Sequence, residues 1–165
     1  MQILYSELLS YFLRRAVNSL VVLFILIGVT SSIGCVPAGS AFKRHEVPEQ
    51  KGIVYIFRPY SVLGVAIRYD IYVGDQFICL MSAGAYCEII TKPGKMTILG
   101  HEFMLDAHAP NNRIHKVEVN VPAGGEVFVR NIPNSNSPHL FEVQALQALS
   151  GLAECRLVAT PVALE

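Results

Sequence analysis

The hydrophobic pattern changes character twice along the chain. No charged residue occurs between Arg15 and Lys43, and the densest apolar part of that gap is Leu20 to Val29. Pro37 to Gly52 is then polar, with Lys43, Arg44, Glu46, Glu49 and Lys51 among prolines and glycines. From Gly52 onward the apolar positions take the spacing of strands. Ile53-Val54-Tyr55-Ile56-Phe57 is an unbroken β-branched and aromatic run, which predicts a strand covered on both faces. Arg68 to Val73 alternates, Gly74-Asp75 follows and Gln76 to Met81 resumes, the clearest hairpin pattern in the chain. Tyr86 to Thr91 predicts a further strand. Lys92-Pro93-Gly94-Lys95 predicts a type II turn, in which Pro presets the first central dihedral and Gly takes the positive φ at the second. Met96 to Gly100 is again extended, and His101 to Asn112 is irregular.

His115 to Val121 alternates strictly. After Pro122-Ala123-Gly124-Gly125, Val127 and Val129 alternate with Glu126, Phe128 and Arg130, which predicts a second hairpin with one wet face. Leu140 to Val143 predicts one more strand, and Cys155 to Ala159 a last one. Between them Val143, Leu146, Leu149 and Ala153 recur at near-helical spacing, the pattern of one short helix. About seven or eight short strands with a turn every 8–12 residues predict an all-β fold over residues 52–165, an antiparallel β-sandwich with a short C-terminal helix.

The uncharged stretch adds an address. Leu20 to Val29 follows the basic pair Arg14-Arg15, has about the size of a signal-peptide core and falls short of the roughly 20 residues of a membrane span. Ile33-Gly34-Cys35 resembles the bacterial lipobox, in which a small residue precedes a cysteine that becomes lipid-modified; Ser32 stands where Leu is usual. Residues 1–34 therefore read as a signal segment, Cys35 as the lipidation site, and residues 35–51 as a flexible tether without a core face. Val36 follows the cysteine, and by resemblance to Gram-negative sorting the protein is expected on the periplasmic face of the outer membrane. The alternative is an uncleaved N-terminal anchor in the inner membrane, with Cys35 merely at its edge. Either way Arg14-Arg15 stays cytoplasmic and the rest is exported. The segment before the basic pair, which carries Glu7, is long for a signal and is set aside.

Composition excludes more than it assigns. The 13 basic and 13 acidic residues balance, and removing residues 1–34 changes that by about one charge, so the basic excess of a nucleic-acid binder is absent. Of four cysteines, lipid on Cys35 would leave Cys79, Cys87 and Cys155, an odd number. Cys79 and Cys87 flank one loop; the expectation is two small buried hydrophobes, the alternative a disulfide across the loop. No CxxC pair supports a metal ribbon or a redox site.

Several residues resemble one family in combination: Tyr55, Arg58 and Pro59 of GIVYIFRP, Gly64, Tyr69 of RYDIYVGDQ, Gly84-Ala85-Tyr86, Pro93-Gly94, and Gly125, Val127 and Val129 of VPAGGEVFVR. The chain from about Gly52 to Leu157 resembles the bacterial envelope lipoproteins of the domain of unknown function 2846 family. That resemblance implies a tethered all-β domain behind a lipoprotein signal. It brings no activity, and Cys79, Cys87 and Phe128 depart from the family pattern.

Candidate chemistry is sparse. His101, His108, His115 and His139, with Glu102 and Asp106, lie at irregular spacings that match no zinc motif and read as solvated surface residues. Ser61 and Ser82 sit in no nucleophile elbow, and no glycine-rich loop opens a helix with a lysine. No catalytic residue, metal or cofactor is assigned. Arg58, Arg68 and Asp70 are the candidates for ligand or partner contact. Arg68 and Asp70 also fit as cross-strand pairs on a wet face. An arginine directly after an apolar run, as Arg58 is, calls for a specific carboxylate or carbonyl partner. The expectation is a non-enzymatic domain held to the membrane through its lipid and contacting another envelope protein. The competing reading is a small-ligand binder or enzyme using the loops near Arg58 and Tyr69.

Overall fold

A computed structural model describes residues 38–62, 64–104, 114–133 and 140–164 of the chain. The fold is all-β and is organised around β1 (Gly52–Arg58), every residue of which is buried. A strand without contact to water needs its backbone paired on both edges. β1 has β4 (Ala85–Thr91) antiparallel on one side and β7 (Glu126–Asn131) parallel on the other. β8 (Leu140–Val143) continues antiparallel beside β7. The two-residue strands β9 (Arg156–Leu157) and β10 (Val162–Ala163) run parallel along the far edge of β4. The second sheet has the order β3 (Gln76–Met81), β2 (Ile67–Val73), β5 (Gly94–Met104) and β6 (Ile114–Val121), antiparallel throughout.

The two sheets bury their facing sides in one core. Val54 and Ile56 of β1, Ile89 of β4 and Val127 and Val129 of β7 pack there with Tyr69 and Ile71 of β2, Ile98 of β5 and Val119 and Val121 of β6. A second core lies on the other face of the first sheet. Ile53, Tyr55 and Phe57 of β1, Tyr86 and Phe128 pack there against Ala148 and Leu152 of helix α1 (Ala145–Leu152). Ala148 and Leu152 are one helical turn apart and so share the face turned to the sheet. The ring of Phe128 stacks on Tyr55 at 5.4 Å.

That arrangement corrects the expected antiparallel sandwich at several points. The first sheet is mixed, because the turn Pro122–Gly125 does not close a hairpin. It carries the chain from β6 in one sheet to β7 in the other, where β7 arrives parallel to β1. Phe128 faces the second core rather than water, so β7 has no wet face. The segment from His101 extends β5 to Met104, and β10 was not foreseen. By contrast the hairpin across Gly74-Asp75 forms as expected, with a bulge where Ile71 and Tyr72 pass β3. Cys79 and Cys87 are buried, as expected of small hydrophobes, but they are joined in a disulfide, Cα to Cα 6.6 Å. It ties β3, an edge of the second sheet, to β4 of the first, where the 82–84 connection brings the two strands together.

The stretch read as a tether has a core face. Its Phe42 meets Tyr55 and Tyr86 edge-on at 5.3 and 5.4 Å, and Val47 packs on the same cluster. Ala41 bridges to Arg156, the Ser40 carbonyl accepts from the Leu157 amide, and the Lys51 carbonyl accepts from the Gly124 amide. Residues 38–51 are thus a strap over the outer face of the first sheet. The isolated apolar residues Phe42 and Val47 carry no period, which is why the pattern reads as a linker.

Gly94 is the first residue of β5 and pairs with Val121, so Lys92 and Pro93 alone cross between the sheets and the type II turn is not formed. Its φ of 137° still lies where a side chain is strained, although a β-carbon there would meet open space. Gly94→Val is therefore expected to cost about 1–3 kcal/mol from the backbone alone. Lys92→Ala beside it should change stability by less than about 0.5 kcal/mol. Urea melts of the two variants beside the parent chain read the contrast; equal midpoints for all three would mean that the φ at position 94 makes no demand.

Candidate functional site

The two ends of the domain are unlike. One end carries short turns at Gly74-Asp75, Lys92-Pro93 and Pro122–Gly125. The other carries the 59–66 and 82–84 connections, the run from Asn131 to Pro133, the turn from α1 into β9 and the bridge of Ala41 to Arg156. Arg58 organises this loop-bearing end.

Arg58 is the last residue of β1 and points between the sheets, on the side of Val54 and Ile56. It is 0% exposed. Its guanidinium donates through Nη1 to the Ile67 carbonyl and through Nη2 to the Gly64 carbonyl, both at 2.6 Å. Its Cζ lies 5.5 Å from the centre of the Tyr69 ring, within cation–π reach. Burial lowers its pKa from the ordinary value, while Tyr69 and Glu102 pull it back up. The same residue's own carbonyl accepts from the Gly84 amide at 2.9 Å and from the Cys155 thiol at 3.5 Å. One side chain therefore fixes both ends of the loop tip, and one carbonyl fixes two further connections. Gly64 has φ 76°, and a β-carbon there would fall 2.8 Å from Pro133, so the tip is closed by a residue that must be glycine.

Deeper along the same end, Tyr69, Glu102 and His115 form a buried polar group. The rings of Tyr69 and His115 are 6.1 Å apart, and His115 Nε2 lies 3.4 Å from Glu102 Oε2. At this end a cleft of about 510 Å3 opens between Pro59, Tyr60 and Ser61 on one side and Arg130, Asn131, Ile132 and Pro133 on the other. It lies where the parallel strands β1 and β7 both end.

The three expected contact residues do not come together. Arg58 is inside and engaged by carbonyls, as its position after an apolar run implies. Arg68 and Asp70 lie on the outer, wet face of the second sheet, Asp70 in register with Leu80 and His101. Among the described residues neither makes a salt bridge, so the expected cross-strand pairing is not formed. His101 lies on the same outer face as Asp70, half-buried against Tyr72 at 4.9 Å, whereas His115 is turned inward and is not the solvated surface residue that spacing predicts. Cys35, His108, His139, Asp106 and the whole 1–34 signal reading lie outside the described residues. Among the described residues no group of three or more His, Cys, Asp or Glu side chains is arranged to hold a metal.

A second polar cluster escaped the sequence reading. Glu88, 1% exposed in β4, lies 2.9 Å through Oε1 from His45 Nδ1 of the strap. The His45 amide donates to the Tyr55 hydroxyl at 3.3 Å, and Arg44 grips Glu126. Burial, with smaller contributions from Glu88 and Glu126, pushes the Tyr55 phenol up to about 12. A glutamate between Cys87 and Ile89 in an apolar run was a visible signal. Its partner, 43 residues earlier in a stretch without periodicity, was not. Cys155 is likewise buried, and burial pushes its thiol up to about 12, which disfavours the thiolate.

No family model, no curated protein and no solved structure matches this chain.

If Arg58 holds the loop, Arg58→Met should leave the Gly64 and Ile67 carbonyls without their charged donor and cost about 2–4 kcal/mol. Arg58→Lys, with one ammonium for two carbonyls, should recover part of it. Limited proteolysis of the two variants should show new cutting between Tyr60 and Ala66, strongest in Arg58→Met. An unchanged cleavage pattern with an unchanged melt would remove Arg58 from this role.

Proposed function

We propose that the chain is a lipid-anchored envelope protein whose two-sheet domain is a non-enzymatic binding module, attached through Cys35 and contacting another envelope protein by strand addition. The resemblance to the 2846 family and the lipobox-like Ile33-Gly34-Cys35 support the address. The edges of the second sheet support the mode of contact. β6 is an eight-residue edge strand without a bulge, and among the described residues no strand lies on its outer side. The opposite edge, β3, is bulged against β2 and bonded to β4 through Cys79, both of which discourage a further strand. An extended segment laid along β6 would gain main-chain hydrogen bonds, with Lys116, Glu118 and Asn120 beside it to select its side chains. The reading as a small-ligand site keeps one favourable observation, the cleft beside Arg130. Arg58 and Tyr69, expected to serve it, are committed inward, and a ligand retained through native mass spectrometry would revive it.

Anchoring is tested with Cys35→Ser, which should leave an unprocessed precursor and abolish labelling by a fatty-acid analogue; unchanged mass and labelling would refute it. With lipid on Cys35, fractionation should place the chain in the outer membrane.

Strand addition is tested with proline. Consecutive residues of a strand point their amides to opposite edges. Of Val117→Pro and Glu118→Pro, one therefore removes a bond to β5 and melts lower. The other removes an amide from the outer edge, keeps its melt and should lose the envelope protein that the parent chain captures. A variant that keeps both its melt and its partner would rule strand addition out.

A further inference from the structure

We propose that the strand taken up along the outer edge of β6 is β6 of a second copy of this chain, the two copies being related by a twofold axis at Val117. This self-pairing rests on the strand-addition reading and names its partner.

Two copies of one strand can pair antiparallel about a twofold axis, so that one patch serves both sides. Side chains alternate across a strand, so residues set opposite each other must belong to the same face of the sheet. On β6 the residues Ile114, Lys116, Glu118 and Asn120 are exposed on the outer face, while Val117, Val119 and Val121 turn to the core. Within Ile114–Val121 the two longest overlaps place the axis at Val117 or at Glu118, each pairing seven residues. An axis at Glu118 sets that carboxylate against the partner's own Glu118 and leaves Lys116 opposite the partner's Asn120. An axis at Lys116 pairs only five residues and sets lysine on lysine. An axis at Val117 sets Lys116 against the partner's Glu118, and Glu118 against the partner's Lys116. Opposite charges directly across a strand pair stabilise it and like charges destabilise it, so charge selects the axis at Val117.

Within one chain Lys116 Nζ already lies 2.7 Å from Glu118 Oε1. Two such couples laid head to tail alternate in sign around a square, with each ammonium between two carboxylates. Beside them on β5, Leu99 and Thr97 are in register with Lys116 and Glu118 and bring no charge, and Lys95 stands next to Asn120. The core face gives a second reason. Val117 packs against the core yet stays half-buried, because it lies on an edge strand whose flank is open. The axis sets it beside the partner's Val117, a β-branched cross-strand pair that covers the flank in both copies. The two four-stranded sheets then run on as one, and neither copy keeps β6 as an open edge.

Full-length copies carrying two different tags are mixed in detergent, and the second tag is measured in material purified by the first. Parent copies are expected to co-purify. Glu118→Lys mixed with itself sets lysines against lysines, and Lys116→Glu mixed with itself sets glutamates against glutamates. Two cross-strand pairs change sign in each case, so co-purification should fall about tenfold or more. Glu118→Lys mixed with Lys116→Glu restores opposite charges across the axis and should recover the parent level. The double exchange Lys116→Glu/Glu118→Lys should pair with itself and reject the parent chain. The two side chains are 56% and 66% exposed, so the melts of all variants should stay close to the parent's. Single variants that co-purify as well as the parent would overturn the self-pairing, as would a loss that neither the mixture nor the double exchange restores. If parent copies do not co-purify while a β6 proline variant still loses another envelope protein, self-pairing is overturned and strand addition stands. Absence of both effects would overturn the two together.

Discussion

The structure hangs on burying one strand on every side. Each of the seven residues of β1 is buried, and a buried peptide backbone costs free energy unless each N–H and C=O finds a partner. β4 and β7 meet that demand at the two edges. The faces make a second demand, because Val54 and Ile56 project to one side and Ile53, Tyr55 and Phe57 to the other. One sheet-on-sheet contact covers only half of this, so α1 and the 38–51 strap form a third layer. The mixed first sheet, the sheet-crossing turns and the strap all follow from roofing β1 twice.

β1 ends on a charge, and that charge sets the character of the domain's end. A guanidinium brought inside must find acceptors, and the nearest are main-chain carbonyls of the following connection. Arg58 converts the burial of its own strand into order in the loop after it. Tyr69 lies under the guanidinium, with Glu102 and His115 beside it. Polar groups concentrate where the strands run out, while the opposite end is closed by short turns that require little beyond glycine and proline.

The same logic explains the strap's polar contacts. A third layer made of irregular chain brings its own peptide groups and charges to an aromatic surface. His45 against Glu88, Arg44 against Glu126 and the Tyr55 hydroxyl satisfy them. The disulfide between Cys79 and Cys87 acts on the other side of the domain, holding an edge of the second sheet to the first where no ladder joins them.

Local spacing was enough for the all-β class, the positions of β1 to β4 and β6 to β8, the Gly74-Asp75 hairpin and the short helix, because side-chain alternation and turn chemistry act within a few residues. It was enough also to call for a specific carboxylate or carbonyl partner for Arg58, and the structure supplies the carbonyls of Gly64 and Ile67. Pairing partners lay beyond its reach. Whether Pro122–Gly125 closes a hairpin or crosses between sheets depends on which strand already lies beside β1, and no residue of the turn encodes that. Nor could spacing bring His45 to Glu88, turn Arg58 away from Arg68 and Asp70, or give Phe42 a surface to rest on. Those contacts join segments separated by tens of residues, and only the closing of both cores around β1 decides which of them meet.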